Sequence, residues 1–356
     1  NFWDGRATGE LLGNPAADQA QGPFLNPVEQ ALPDAACVVY RVCNGEYGDL
    51  FDKVWTPNRC MIAWPTDIEH ACSQSGGTFD HLPPEVRTKV DAAYDRIALS
   101  IAAFEGSSVS NAFTSKIDAH RAGLYEFTEQ EKLGPEIFRG KGMCSACHVG
   151  SPGPGAAPPL FTDFTFDNLG VPRNPENPAS IADPNWRDPG LGHFLATVAG
   201  YAAYADANDG KHKVPTLRNV GLGSCEALES SDDGHHGHNR GRGKGKGKCI
   251  TKAYMHNGFF KSLKSVVHFY NTRDIKPVCE HLPVKVKKWT EKAALKHDCW
   301  PAPEVAVNVN TDELGNLGLT VEEEDALVAF MMAMSEGYGK SDDDHKGKGK
   351  GQGRDR

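Results

Sequence analysis

The chain has 356 residues, a formal net charge of −9 and ten cysteines. This length suffices for one large or two ordinary domains, and the acidic balance, without a basic patch interleaved with aromatic residues, argues against a nucleic-acid partner. No apolar run approaches the ~18 residues that a membrane span requires. The chain opens at Asn1 without an initiator Met or a recognisable signal peptide, which predicts a mature, processed or truncated product.

The first third of the chain changes from irregular to helical character. Residues 1–36 are rich in Gly, Pro, Asn and Ala and predict a segment dominated by loops. Residues 37–80 contain four cysteines and little periodicity, which predicts an irregular insertion stapled by disulfides. Apolar residues then recur at helical spacing over 84–106 and predict a helix. A Thr-x-x-Glu capping box predicts a second helix over 128–138, which Pro135 shortens or kinks.

The remainder of the chain alternates long loops with helices. Residues 150–215 are rich in Pro, Gly and Asp and predict little regular structure, and the polar, low-complexity stretch 224–249 predicts a solvated loop. Helices are expected over 262–271 and after the capping-box residue Thr320. The tail 340–356 is expected to be disordered. Because no alternating strand pattern appears, the predicted fold class is all-α, with long irregular loops.

Eight of the ten cysteines lie outside a single Cys-x-x-Cys-His motif. An even number of such cysteines predicts disulfides and an oxidising compartment, the periplasm or the cell exterior, with free buried thiols as the alternative. Many connectivities are open to eight cysteines. Proximity in the sequence favours the pairs Cys37–Cys43, Cys60–Cys72, Cys225–Cys249 and Cys279–Cys299.

The motif itself is Cys144-Ser-Ala-Cys147-His148. Two thiols at this spacing add across the vinyl groups of a haem, and the adjacent imidazole reaches the iron from the same turn. The alternative is a redox-active or zinc-binding Cys-x-x-Cys pair that happens to precede a histidine. A zinc site requires a second ligand pair of similar spacing, which the sequence lacks. The motif therefore predicts one covalently attached haem c with His148 as an axial ligand. Candidates for the other axial position are Met143, Met255, the methionines of the last helix, His256 and Tyr270.

Further fragments, in order along residues 1–335, resemble the bacterial di-haem cytochrome c peroxidase family, which includes the protein-modifying MauG enzymes. They lie at residues 2–7, 19–29, 101–105, 140–144, 214–219, 253–258 and 266–271. The resemblance implies two haem domains, with the active-site haem in the N-terminal one. Residues 1–125 then correspond to the remainder of an N-terminal haem domain that lacks its own motif, and residues 126–339 to the C-terminal cytochrome c domain. A second haem is expected from a missing upstream segment or a separate N-terminal haem fragment.

The resemblance also implies roles for residues of the N-terminal part. Trp3 matches a tryptophan that lies between the two haems of the family and carries electrons, although a structural aromatic residue would look the same. Gln19, Pro23 and Glu29 match residues over the open face of the N-terminal haem. A carboxylate there moves a proton between peroxide oxygens. The alternative for Glu29 is a loop carboxylate in solvent.

In the C-terminal part, Tyr270 matches the second axial ligand of the haem and favours the MauG-like branch, because a phenolate is a hard donor that stabilises oxidised iron. The alternative is a core tyrosine packed against the haem edge. Arg218, in the Thr-Leu-Arg-Asn fragment, could pair with a haem propionate, because a fixed guanidinium suits a carboxylate. The alternative is an ordinary surface ion pair. The backbone carbonyls of Thr251 and Ala253 match ligands of a calcium ion.

Together these features predict a haem c oxidoreductase that reduces hydrogen peroxide, or uses it to oxidise a protein substrate. Electrons from a small redox donor protein would pass through the C-terminal haem. The alternative is a mono-haem electron-transfer or structural cytochrome without peroxidase activity. The tract that contains His235, His236 and His238 offers a transition-metal site, but solvated histidine-rich tracts without a metal are more frequent.

Overall fold

The computed structural model describes residues 2–55, 59–74, 79, 82–224 and 251–338. Within these ranges the regular structure is mainly helical, which confirms the all-α prediction, and long irregular segments connect the helices. The chain divides into two compact units, Asn1–Ala112 and Phe113–Arg356. The predicted domain boundary after residue 125 falls later than this division, because Ile117 already lies in the hydrophobic core of the second unit.

The first unit is built from five helices in its described residues. They are α1 (Pro15–Leu25), α2 (Ala35–Asn44), α3 (Gly48–Trp55), α4 (Ile68–Ser73) and α5 (Pro84–Glu105). Helix α5 confirms the helix predicted over 84–106. The prediction that residues 1–36 are dominated by loops is wrong for α1, and residues 37–80 contain three helices rather than a wholly irregular insertion.

Helix α1 forms although its sequence contains Gly22 and Pro23, because its ends and one face are well satisfied. The Asn14 side chain caps the helix by accepting a hydrogen bond from the Ala16 N–H at 2.9 Å. Buried alanines of α1 pack against buried alanines of α5, and such small side chains allow the two helices to approach closely. Pro23 lies in the last turn of α1, where it removes one backbone hydrogen bond of the helix, and α1 ends two residues later at Leu25.

Two disulfides hold the core of the first unit, and both differ from the predicted pairs. Cys37 is bonded to Cys72, and Cys43 is bonded to Cys60. Cys37 and Cys43 lie on the same helix, α2, and α2 presents each of them to a different segment. Proximity in the sequence is therefore a poor guide here, since the packing of α2 against α4 and the segment after α3 decides the pairing.

The second unit contains seven helices in its described residues and one short antiparallel strand pair. The helices are α6 (Lys116–Arg121), α7 (Glu129–Arg139), α8 (Pro178–Ala182), α9 (Leu191–Thr197), α10 (Leu263–Thr272), α11 (Glu291–Lys296) and α12 (Val321–Met332). Strand β1 (Phe166–Asp167) pairs with β2 (His212–Lys213), with Phe166 opposite Lys213. Capping by Thr128, Ser262 and Thr320 at the starts of α7, α10 and α12 confirms the three predicted helices of this part.

Helices α7 and α12 cross at Gly134, and this contact supports the segment that follows α7. A Cβ atom on Gly134 would lie 2.4 Å from the Ala326 carbonyl oxygen and 2.5 Å from the Phe330 Cβ, so only glycine fits. One turn further along α7, Phe138 packs edge-on against Phe330, with ring centroids 5.3 Å apart. The Cys-x-x-Cys-His motif follows α7 directly.

The remaining sequence predictions divide into confirmed and untested ones. The predicted disulfide Cys279–Cys299 is confirmed. The predicted pair Cys225–Cys249, the histidines at 235–238 and the whole tail 340–356 lie outside the described residues. Among the helices described, none has the length and apolar character needed to cross a membrane.

Candidate haem site

The residues of the Cys-x-x-Cys-His motif form one tight turn shortly after the end of α7. Met143 has a left-handed backbone with φ of 52°, and a 3₁₀ turn then spans Cys144–Ala146. The His148 N–H donates to the Cys144 carbonyl oxygen at 2.9 Å, which closes the turn. Because this turn is so compact, the two sulfurs and the imidazole project from a single short segment, as covalent haem attachment requires.

The thiols of Cys144 and Cys147 are free, whereas each of the other cysteines described is bonded in a disulfide. Burial raises the pKa of Cys144 to about 12. Burial, with the nearby charges of Asp167 and Asp163, raises the pKa of Cys147 to about 11. Neither cysteine is a thiolate at neutral pH, which does not suit a redox-active pair. Two unbonded thiols in this turn fit the thioether links of a haem c.

The His148 ring is oriented by a backbone carbonyl. Its Nδ1 lies 2.8 Å from the Phe161 carbonyl oxygen, which can only accept, so Nδ1 carries the proton and Nε2 keeps its lone pair. Burial lowers the pKa of His148 and keeps the ring neutral. A neutral imidazole whose other nitrogen donates to a carbonyl is the usual state of a metal ligand. The side chain of His148 is therefore prepared for iron.

The segment that carries this carbonyl is held by Arg218. The Arg218 Nε donates to the Pro159 carbonyl oxygen at 2.8 Å, and the guanidinium carbon lies 5.6 Å from the centre of the Phe161 ring. The same ring packs edge-on against Phe330 of α12. Because Phe161 acts through its backbone, no side-chain signature in the sequence could have identified it.

Arg218 forms a buried ion pair with Asp118. Its guanidinium donates to both carboxylate oxygens of Asp118, at 2.6 and 2.9 Å, and to the Ser115 hydroxyl at 3.1 Å. The side chain of Arg218 is only 6% exposed. Asp118 thus holds the guanidinium with a planar two-bond geometry, and the pairing of Arg218 with a haem propionate stays a prediction.

Tyr270 lies on α10 beside the motif. Its ring is half-buried and packs on the same hydrophobic cluster as Cys144 and Met255. Burial raises the pKa of Tyr270 well above its usual range, and charge on Cys144 or Cys147 would raise it further, so the hydroxyl and the two sulfurs share one environment. Within the described residues, no hydrogen bond to the Tyr270 hydroxyl is found. This oxygen is therefore available to a ligand.

The other candidates for the second axial position are placed less favourably. Met331 and Met334 are buried in the hydrophobic core of the second unit, and Met143 is 41% exposed. His256 is engaged with the carboxylate of Glu304 at 3.2 Å. The methionines Met255, Met331, Met332 and Met334 belong to the same hydrophobic cluster as Cys144 and Tyr270, and Tyr270 differs from them by offering an oxygen donor.

The structure brings three of the predicted residues of the first unit onto one segment. Gln19 and Pro23 lie one turn apart on α1, and Glu29 lies in the exposed turn that follows. The Glu29 carboxylate accepts a hydrogen bond from the Asn26 side chain at 2.7 Å. Trp3 is 42% exposed in a turn near the start of the chain. The haem-related roles of these four residues stay predictions.

The predicted calcium ligands lie at the edge of the second unit. Thr251 and Ala253 are exposed, and Lys252 between them donates from Nζ to the Val220 carbonyl oxygen at 3.0 Å and to the Asn219 carbonyl oxygen at 3.3 Å. Burial lowers the pKa of Lys252. The calcium site stays a prediction.

Comparison with known proteins finds similarity to haem-containing peroxidases, in agreement with the geometry of the site. A family model described as di-haem cytochrome c peroxidase matches residues 1–126. The methylamine utilization protein MauG of Paracoccus denitrificans is 29% identical over 338 residues, which cover 94% of this chain and 67% of MauG. The cytochrome-c peroxidase IdrP2 of Denitromonas iodatirespirans is 30% identical over 220 residues, which cover 58% of this chain and 40% of IdrP2.

Among solved structures, the diheme peroxidase BthA of Burkholderia thailandensis has a similar fold. The two share a TM-score of 0.58 at 22% sequence identity, over 94% of this chain and 66% of BthA. The chain thus spans about two thirds of MauG and of BthA, and less than half of IdrP2.

Proposed function

We propose that this chain, which belongs to the di-haem cytochrome c peroxidase and MauG family, is part of an oxidoreductase that reduces hydrogen peroxide or uses it to oxidise a protein substrate. The observation that carries the proposal is the meeting of two free thiols, a carbonyl-oriented His148 and the Tyr270 hydroxyl in one environment. A bound haem c supplies electron transfer and peroxide chemistry.

Four residues of the second unit would hold the cofactor, each in a different way. Cys144 and Cys147 form the thioether links, and His148 offers Nε2 because the Phe161 carbonyl holds the proton on Nδ1. Tyr270 offers a hard oxygen donor that favours oxidised iron. Since burial raises the pKa of Tyr270, the hydroxyl gives up its proton only when a cation binds it.

The finer assignments belong to the same proposal. Electrons from a small redox donor protein or from a protein substrate enter through the C-terminal haem and pass Trp3. Gln19 and Glu29 assist peroxide cleavage at a second haem, which an upstream segment or a separate fragment supplies. A calcium ion is held by the carbonyls of Thr251 and Ala253. The disulfides support a periplasmic or extracellular location.

Haem stoichiometry and peroxide reactivity test the proposal. A pyridine haemochrome assay on the purified holoprotein is expected to give one covalent haem per chain, and a second only where the upstream segment is present. The reduced protein with its second haem should be re-oxidised by hydrogen peroxide faster than a peroxide-inert cytochrome. If re-oxidation is no faster, the peroxidase assignment fails, and one haem per chain then favours the mono-haem carrier.

The role of Tyr270 has its own test. Tyr270→Phe removes the hydroxyl, so the ligand-field bands of the oxidised holoprotein should move to those of a high-spin or differently ligated haem. Tyr204→Phe is the control, because Tyr204 is 62% exposed. An electron paramagnetic resonance spectrum that is the same for Tyr270→Phe and the unaltered protein would remove Tyr270 from the site.

A further inference from the structure

A second cluster of polar side chains lies in the second unit and shares no residue with the Cys-x-x-Cys-His motif. The rings of His212 on β2 and His256 are stacked, with centroids 3.6 Å apart and planes 8° from parallel. Together with Asp188 they offer potential ligand atoms that all lie within 4.8 Å of one another. Because these three residues are far apart in the sequence, no local sequence motif could have identified the cluster.

One ring nitrogen of His212 has no hydrogen bond within the described residues. The other, Nδ1, lies 3.1 Å from the Gly210 carbonyl oxygen, which can only accept, so Nδ1 is the donor. Nε2 is buried, has no hydrogen-bond partner among the described residues, and lies 3.5 Å from the Asp188 Oδ1. The side chain of His212 is only 8% exposed. A cation between this buried nitrogen and the carboxylate oxygen would bind both.

The ring of His256 is held in the matching way. Its Nε2 lies 3.2 Å from the Glu304 carboxylate, and Glu304 also accepts from the Asn257 side chain at 2.6 Å. Burial raises the pKa of Glu304, but the hydrogen bonds from His256 and Asn257 outweigh burial and lower it. An ionised Glu304 accepts a hydrogen bond from the Nε2–H of His256, so Nδ1 of His256 keeps its lone pair. Metal-binding histidines usually donate their other N–H to a carboxylate or a carbonyl, as both rings do here.

Asp188 is ionised and fixed beside the two rings. Burial raises the pKa of Asp188, but its interactions with His212 and the Gly190 N–H outweigh burial and lower it to about 2. Oδ1 accepts from that N–H at 2.9 Å, while the Asp188 N–H donates to Glu304 at 3.1 Å. A Cβ on Gly190 would lie 2.1 Å from the Lys211 carbonyl oxygen, so glycine permits the close approach of this turn to β2.

We propose that Asp188, His212 and His256 bind a divalent first-row transition-metal ion. Zn²⁺ is the ion used to test this proposal. Two imidazoles and one carboxylate form a donor set that suits such ions, and water completes the coordination. Because the rings are nearly parallel, one of them tilts about its soft χ2 torsion to point at the ion. The ion ties together three segments of the second unit.

Zinc binding to the holoprotein tests this inference independently of peroxidase activity. The background carries H235A, H236A and H238A, so that the histidine-rich tract does not compete. Isothermal titration calorimetry with ZnCl₂ after chelator dialysis should give one site per chain. X-ray absorption of the zinc-loaded background should report two imidazoles with Zn–N distances of about 2.0–2.1 Å. In that background, Glu304→Gln should weaken Zn²⁺ binding by about 10- to 100-fold, because Glu304 orients His256.

Asp188→Asn should weaken Zn²⁺ binding more than Glu304→Gln does, and His281→Ala, which alters an exposed histidine, should leave it unchanged. Far-UV circular dichroism and the Soret band show whether each variant has folded. The inference is overturned if the background binds no Zn²⁺, if its absorption spectrum lacks two imidazoles, or if a folded Asp188→Asn variant binds as tightly as the background. The absorption spectrum needs no ligand variant, so a failure of one variant to fold still leaves a decisive result.

Discussion

Removal of the Arg218 side chain should destabilise the second unit strongly. Arg218 is 6% exposed and its partner Asp118 is 13% exposed, so Arg218→Ala leaves a buried carboxylate without its counter-charge. Loss of one partner from a buried ion pair costs about 3–5 kcal/mol. We expect a decrease of that size in the free energy of unfolding, together with loss of the hydrogen bond that holds the Pro159 carbonyl.

Urea denaturation of the holoprotein, followed by far-UV circular dichroism, measures this decrease. Arg187→Ala is the matched control, because Arg187 and Asp209 form an ion pair whose side chains are 48% and 22% exposed. Exposed pairs contribute about 0–1 kcal/mol, so the control should change little. The double variant that lacks both Arg218 and Asp118 should lose less than the sum of the two single variants, since the two side chains interact directly.

The pH dependence gives a second measure of the same pair. Burial raises the pKa of Asp118, but hydrogen bonds from Arg218 and Ser115 outweigh burial and lower it below its usual 3.8. A carboxylate with a lowered folded-state pKa stabilises the protein fully above its unfolded pKa and loses that contribution as the pH falls through the folded pKa. Arg218→Ala should therefore show a weaker loss of stability in acid. If Arg218→Ala costs no more than Arg187→Ala, the buried pair is refuted, and a haem propionate becomes the better partner for Arg218.

Three further changes test the packing, the disulfides and the acid stability. Gly134→Ala should lower the free energy of unfolding by about 1–3 kcal/mol through overpacking. Gly200→Ala is the control and should not lower it, because a Cβ atom at Gly200 would meet open space. Equal urea midpoints for the two variants would contradict the close crossing of α7 and α12. Replacement of Cys37 and Cys72 together by Ala should cost about 4 kcal/mol, and peptide mapping that found Cys37 bonded elsewhere would contradict the pairing. Glu324 is buried, and burial raises its pKa, but hydrogen bonds from α10 outweigh burial and lower the pKa to about 2. The contribution of Glu324 to stability should therefore be lost as the pH drops from 4.5 to 2, and Glu324→Gln should weaken the pH dependence of stability in that range.

Sequence and structure agree best where the governing interactions are local. The capping boxes at Thr128 and Thr320 act within one helical turn, so the sequence alone identified the starts of α7 and α12. The Cys-x-x-Cys-His motif likewise needs only one tight turn, which the structure shows over Cys144–Ala146. For α1, composition misled, because Gly22 and Pro23 suggested a loop, while capping and contacts with α5 stabilise a helix.

By itself, the sequence determined the helices with strong local signals, the haem-attachment motif and the resemblance to the di-haem cytochrome c peroxidase family. Only the tertiary structure decided which cysteines pair, that Arg218 forms an ion pair with Asp118, and that the Phe161 carbonyl orients His148. The physical reason is the range of the interactions. A helix cap or a haem motif acts over a few neighbouring residues, whereas disulfides, buried ion pairs and oriented imidazoles join segments that meet only when the chain has folded and packed.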